Sequence, residues 1–250
     1  MQNHYFKLIK FLGKRVFFPG LDLHTRCRYR FLPRYFKRGS ISTLDAGCGN
    51  GALSYAAYKL GNFVLGITND QESLNRTQKF FSTIEVKPNR MRFKAYDLYN
   101  LQQMEEKFDQ IICSETLEHI KRDDVIIKYF YQLLRRNGVL HLCSPFGVHP
   151  ENISRRTNTK KAGGHLRDGY TLESYKSLLE PAGFKIVKIA GLGSPLLVKL
   201  DILIRWARNK FGDAMTLPIF LFTVPLQYLD FINSKIPFSL YVQAIKKEKK

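Results

Sequence analysis

The 250-residue chain is poor in acidic side chains, poor in cysteine, and has no apolar run long enough to cross a bilayer. Its 21 Asp/Glu stand against 40 Lys/Arg, a net charge of +19, which suits an anionic partner, a membrane face or RNA, and equally a solvated surface with no partner. The four cysteines, Cys27, Cys48, Cys113 and Cys143, include no C-x-x-C pair. Neither a zinc knuckle nor a dithiol redox motif is therefore indicated, no metal site is expected, and a reduced, cytoplasmic compartment fits. The longest uncharged stretch, 214–229, falls short of the ~20 residues a spanning helix needs, and it contains Pro218 and Pro225. Shallow insertion in an interface is the most it allows. The apolar start is broken by Lys7, Lys10, Lys14 and Arg15 and lacks a small-residue cleavage site, so it does not read as a signal peptide. Internal repeats and low-complexity tracts are also missing.

What is present is an alternation. Apolar strand patterns at 42–47, 63–68, 90–97, 108–115, 139–145, 184–191 and 239–247 are separated by helical spacing at 51–60, 70–83, 124–136 and 171–184. Strand–helix repeats with short links predict an α/β fold, a mostly parallel doubly wound sheet with helices on both faces and a ligand at the carboxyl ends of the strands. The excess charge sits outside this core. Residues 1–40 carry ten Lys/Arg against the single acid Asp22, and residues 191–250 carry nine against four. The expected organisation is an N-terminal basic and aromatic extension over 1–40, a core over 41–192 and 238–250, and a helical insertion over 193–237.

The stretch LDAGCGNG, 44–51, ends the first strand in a glycine turn and opens a helix. A triphosphate loop needs Gly-Lys-Ser/Thr there, whereas Gly51 is followed by Ala52. The run GCGNGA also satisfies the nicotinamide-dinucleotide pattern, but Asp45 decides between the two ligand classes. A carboxylate at that place repels a pyrophosphate and attracts the α-ammonium of an amino acid, while bare backbone at Gly47, Cys48 and Gly49 permits close approach of a ligand.

These residues resemble the first motif of the class I S-adenosylmethionine-dependent methyltransferases. The resemblance continues through AYDL (95–98), FDQIICSETLEHI (108–120), which is similar to the form found in ubiquinone-biosynthesis O-methyltransferases, and LLRRNGVLHLCSP (133–145). It implies the Rossmann-like methyltransferase fold, seven strands with the last antiparallel, and S-adenosylmethionine as cofactor with S-adenosylhomocysteine as product. By the same resemblance Asp97 and the Leu98 backbone meet adenine, and Ser114 and Glu115 line the pocket beside the sulfonium. The family's usual acidic ribose ligand at the end of the second strand is replaced by Thr68 in GITND, leaving Thr68, Asn69 or Asp70 for that role. Asp70 also reads as a helix cap.

Methyl transfer needs an aligned nucleophile, exclusion of water and, for many acceptors, a base. His165, in GGHLRDGYT, is the preferred base or substrate contact, with His119 and His149 as further candidates; His165 and Arg167 also read as pins for a lid over 146–170. His141, between two leucines, reads as a core histidine. The stretch 108–120 lacks the Asn/Asp-Pro-Pro-Tyr/Phe signature of DNA amino-methylation, and no catalytic Pro-Cys pair is present, so DNA is not an expected substrate. The apolar segments 195–212 and 217–232 suit a lid over a hydrophobic or lipid-linked acceptor, a helix on an anionic membrane at its cytoplasmic face, a homodimer interface, or plain core. Val198, Ile202, Leu203 and Trp206 are expected on one helical face, with Lys199, Arg205 and Arg208 elsewhere. The competing readings are an RNA methyltransferase using the basic ends and a non-catalytic scaffold.

Overall fold

The computed structural model describes residues 18–84, 86–156, 165–227 and 236–246, with side chains omitted at 154–156 and 213–215. The basic stretch before Phe18, the middle of the expected lid and the end of the insertion lie outside these residues.

Seven strands form one sheet: β1 (Ser42–Ala46), β2 (Phe63–Thr68), β3 (Met91–Ala95), β4 (Phe108–Ser114), β5 (Leu134–Pro145), β6 (Phe184–Leu192) and β7 (Ser239–Lys246). Their order is β3-β2-β1-β4-β5-β7-β6, parallel except that β7 runs antiparallel to both β5 and β6. The order reverses between β1 and β4, the place where an open α/β sheet leaves a crevice at its carboxyl edge.

Two apolar layers follow from the period-2 alternation of strand side chains. Ile111, Cys113, Leu140, Leu142 and Val242 pack with Ile126, Ile127 and Phe130 of helix α4 (Asp123–Leu133) and with Tyr175 and Leu179 of α6 (Leu172–Leu179). The alternate residues, Ile112, Cys143 and Tyr241, pack on the opposite face. There they meet α1 (Leu23–Phe31), α2 (Ala52–Lys59), the end of α3 (Gln71–Phe81) and α7 (Pro195–Leu226). A short helix, α5 (Pro150–Arg156), follows β5. All four cysteines are buried and none forms a disulfide.

Local chemistry sets the ends of the helices. Asp70 caps α3 by accepting the Glu72 amide at 3.0 Å. Thr171 caps α6 in a reciprocal pair with Ser174 rather than with an acid, the Ser174 amide reaching the threonine hydroxyl oxygen at 3.2 Å and the Thr171 amide reaching the serine at 2.8 Å. The helical spacing read over 124–136 ends at Leu133, and the residues after it form a bulge within β5, where Asn137 at φ 58° carries the extra length and Leu134 pairs with Phe108. The insertion forms α7, kinked at Gly212, whose φ of 76° and ψ of 175° are not helical.

Across the sheet runs a buried polar chain. Gln110 Nε2 donates to Asn62 Oδ1 at 2.7 Å, and Gln110 Oε1 lies 3.1 Å from His141 Nε2. Because that amide oxygen can only accept, His141 Nε2 carries the proton and Nδ1 accepts from the Tyr241 hydroxyl at 2.8 Å. Burial holds the imidazole neutral, its pKa lowered from 6.5 to about 3. The reading of His141 as a core histidine is thereby met.

Candidate functional site

The glycine turn leaves β1 and folds back on β2, with the amides of Gly47 and Cys48 both donating to the Ile67 carbonyl at 2.9 Å. Gly47 has φ 80°, and a Cβ there would lie 2.2 Å from the Thr116 hydroxyl oxygen. Gly49 has φ 51°, and a Cβ there would meet nothing within 4 Å. The first glycine is thus demanded by a neighbour, and the second leaves open space over the backbone. On the far side Thr77 of α3 holds the Gly49 carbonyl at 2.9 Å.

A pocket of about 220 Å³ opens at the β1/β4 reversal, walled by Asp45, Gly47, Cys48, Gly49, Asn50, Ser114 and Glu115 and closed by Thr25 and Arg28 of α1. Asp45 is 2% exposed and takes the Ser54 hydroxyl on one oxygen at 2.6 Å. Burial raises its pKa from 3.8 to about 6, the Ser54 bonds only partly opposing this. Opposite it Arg28 Nη1 sits 3.4 Å from Glu115 Oε2, the two side chains 12% and 24% exposed. Burial works against the guanidinium charge, and Glu115 with other neighbours more than offsets it, so the Arg28 pKa stands above its ordinary value. Glu115 has φ 52°, a conformation unusual for a residue with a side chain, at the mouth of this pocket. Ser114 Oγ and Arg28 Nη1 are buried without a well-formed hydrogen bond. These are groups that a polar ligand satisfies.

The pocket therefore offers a buried carboxylate, a buried guanidinium and bare backbone between them. That donor set fits the ammonium and carboxylate ends of an amino-acid tail, and so fits the S-adenosylmethionine expected from the sequence. Asp45, Gly47, Cys48, Gly49, Ser114 and Glu115 are brought together as expected. Thr68, Asn69, Asp97 and Leu98 lie outside the pocket wall, at the ends of β2 and β3 beyond the turn. Thr68 is buried and its hydroxyl oxygen accepts the Asp70 amide at 3.2 Å, whereas Asn69 is exposed. Asp97 is exposed, and its carboxylate caps a 3-10 turn through the Tyr99 amide at 2.9 Å.

Sequence reading missed Arg28, Thr25 and Ser54. It named His119 and His165 but missed Glu118, which joins them in a second cluster. Glu118, His119 and His165 each present a ligand-type atom, all within 4.8 Å of one another, and the two imidazole rings meet edge to face at 4.8 Å. Glu118 is fully buried; burial and then the charge of Glu115 raise its pKa well above the ordinary carboxylate range. It connects the two clusters, since Glu115 and Arg28 act on it from the pocket side. One carboxyl and two imidazoles can relay a proton or hold a divalent cation. His149 is not part of this group. It is buried beside the Phe238 ring at 5.5 Å and accepts the Glu151 amide at 3.2 Å. Arg167 grips Asp123 and the Ile120 carbonyl, and the Leu166 amide bonds the Glu118 carbonyl at 2.9 Å. The end of the expected lid is therefore pinned to the loop that carries Glu118 and His119.

A family model described as a methyltransferase domain matches residues 37–182, more than half of the chain. The chain belongs to the S-adenosylmethionine-dependent methyltransferases. Among the relatives of this methyltransferase is the mitochondrial ubiquinone biosynthesis O-methyltransferase of Rattus norvegicus, 27% identical over 160 residues, 61% of this chain and 46% of that protein. The ubiquinone biosynthesis O-methyltransferase of Hydrogenovibrio crunogenus is 28% identical over 193 residues, covering 72% and 77% of the two chains. The methyltransferase chain spans about half the length of the curated mammalian relatives it matches. In fold it resembles the magnesium protoporphyrin IX methyltransferase of Synechocystis PCC 6803 with bound S-adenosylhomocysteine. The TM-score is 0.58 at 16% identity, covering 89% of this chain and 82% of that one. Among the described residues no helix is long and apolar enough to cross a membrane.

Proposed function

We propose that the protein transfers the methyl group of S-adenosylmethionine to an oxygen or nitrogen of a small, hydrophobic or lipid-linked acceptor such as a quinone, an isoprenoid, a natural product or a glycan precursor. The observation that carries this reading is the pocket at the β1/β4 reversal, where Asp45 and Arg28 present opposite charges across the Gly47–Gly49 backbone. The cofactor supplies an electrophilic methyl on a sulfonium. The chain supplies the rest. Asp45 holds the ammonium of the amino-acid tail, and Arg28 its carboxylate. Thr68, Asn69, Asp97 and the Leu98 backbone serve the adenosyl half. Glu115, freed from Arg28 by the incoming carboxylate, turns its charge toward the acceptor side.

His165 and His119 are the groups for moving the acceptor's proton. They sit together beside Glu118, whose carboxyl lies within 4.8 Å of both imidazoles and joins them to the pocket. His149, held in the packing around Phe238, takes no part. The acceptor class is supported by the quinone relatives and by the apolar residues around α5 and α7.

The test is transfer of tritium from methyl-labelled S-adenosylmethionine into lipid and aqueous extracts of source cells. Label is expected in an organic-soluble product, lost with Asp45→Ala. Label confined to the aqueous phase refutes the hydrophobic acceptor. Failure of the protein to bind S-adenosylhomocysteine refutes the whole reading.

A further inference from the structure

We propose that the outward stripe of α7 is a docking face for an anionic lipid surface. The first half of α7 divides cleanly. Leu197, Leu200 and Ile204 are buried against α1 and the sheet, and Val198 and Ala207 are buried with them. Lys199, Ile202, Leu203, Trp206 and Lys210 follow at helical spacing on the other side and are all exposed, with Trp206 at 50%. Val198 thus turns inward and Lys199 joins the exposed stripe, the reverse of the arrangement expected from the sequence. Past the kink at Gly212, the exposed residues Pro218, Leu221, Phe222 and Pro225 repeat the same spacing within the uncharged run, and Phe222 is 73% exposed.

Charge selects the occupant. The Lys210 ammonium lies over the rings of Trp206 and Phe211 at 5.3 and 5.4 Å from their centroids. Lys199 and Lys210 bracket the apolar residues, the arrangement of a helix lying in a bilayer interface with its ammonium groups at the headgroups. The one acid of 195–212, Asp201, is turned away and is 2% exposed, held by Arg205 at 2.8 Å and His24 at 3.5 Å. Nothing acidic from this half of the helix reaches the stripe. A second copy seated on the same face would set Lys199 and Lys210 against lysines of its own stripe, which disfavours self-association there.

Vesicle binding requires neither cofactor nor turnover, so the proposal stands or falls apart from the assigned chemistry. Trp206 is the only tryptophan of the chain, so its emission reports this face directly. The full chain is titrated with phosphatidylglycerol/phosphatidylcholine vesicles and with pure phosphatidylcholine vesicles, at low and at 0.5 M salt. The expected result is at least about tenfold tighter binding to the anionic vesicles, weakened by salt. Trp206 emission should shift to the blue and be quenched by brominated lipid. Ile202→Ser with Leu203→Ser is expected to weaken binding at least about tenfold while melting temperature and S-adenosylhomocysteine affinity hold. Lys199→Glu with Lys210→Glu should remove the anionic preference. No binding at low salt overturns the proposal. So does binding without a change in Trp206 emission, which places the contact elsewhere, or a sedimentation dimer that dissociates in the Ile202/Leu203 variant, which assigns the face to a second copy.

Discussion

Asp45→Asn should make the protein more stable and bind its cofactor less well. The carboxylate is 2% exposed, and burial lifts its pKa from 3.8 to about 6. At ~1.4 kcal/mol per tenfold change in proton affinity, keeping Asp45 ionised at pH 7 costs about 3 kcal/mol. Asparagine removes that charge but weakens the bond from the Ser54 hydroxyl, a loss of about 1 kcal/mol. The net gain is about 2 kcal/mol, which for a chain of this size raises the melting temperature by about 4–8 °C. The pH window follows from the direction of the shift. Between 3.8 and about 6 the folded protein binds the Asp45 proton more tightly than the unfolded chain. The wild type therefore regains stability from this group as pH falls through that window, and the gap to the variant closes. Above about pH 6 the gap is constant. The same change removes the charge facing the ligand ammonium, and a charge-assisted bond of about 1.5–3 kcal/mol corresponds to a loss of about 10- to 100-fold in S-adenosylhomocysteine affinity. Thermal melts from pH 4.5 to 8 and calorimetry at pH 7.5 read the two effects separately. A variant that melts below the wild type at pH 7, or binds within twofold of it, refutes the reasoning.

Arg28→Met keeps the side chain's length but leaves Glu115 without its cation, and calorimetry should show S-adenosylhomocysteine affinity falling about 10- to 100-fold, with Arg28→Lys intermediate because it loses the planar fork. Gly47→Ala drives a methyl into Thr116 in addition to the ~1–2 kcal/mol of left-handed strain, so it should lower the melting temperature more than Gly49→Ala, which meets strain alone. Gly49→Ala should instead weaken the cofactor, by filling the open space over its backbone. His141→Gln should flatten the acid limb of stability: the native imidazole titrates near 3 instead of 6.5, so the wild type loses ~1.4 kcal/mol per pH unit as pH falls between those values, and urea melts at pH 7 and 4.5 would show the variant losing less.

The succession of strands and helices along the chain and the glycine turn were legible because their signals are local. Asp45, Gly47 and Gly49 lie within five residues, and alternation along β4 and β5 tells which residues face which layer. Arg28 was not legible, because its partner Glu115 is distant in sequence and α1 lies outside the repeating strand–helix pattern. The two-histidine cluster was half legible. His119 and Glu118 adjoin in SETLEHI, but His165 reaches them only through the Leu166 and Arg167 bonds that fold the lid's end back. The helical spacing over 124–136 overran, because the sheet claims its last residues: pairing Leu134 with Phe108 places the left-handed Asn137 in a bulge.

The two additions to the core, far apart in the chain, form one layer. His24 of α1 meets Asp201 of α7 at 3.5 Å and stacks on Phe238 at 3.7 Å between centroids. Arg30 of α1 donates to the Gln227 carbonyl at 2.7 Å, and Arg26 lies over Phe220 at 4.9 Å. Arg28, which closes the cofactor pocket, lies one helical turn beyond His24 on α1. Its placement therefore depends on α7, although no residue of α7 lines the pocket. Asp201→Asn removes the carboxylate that both His24 and Arg205 approach, at a cost of about 1–3 kcal/mol. If α7 positions Arg28, S-adenosylhomocysteine affinity measured well below the melting temperature should fall several-fold, and Arg28→Met should make the second substitution silent. A lower melting temperature with unchanged affinity would show that α7 stabilises the sheet without steering the pocket.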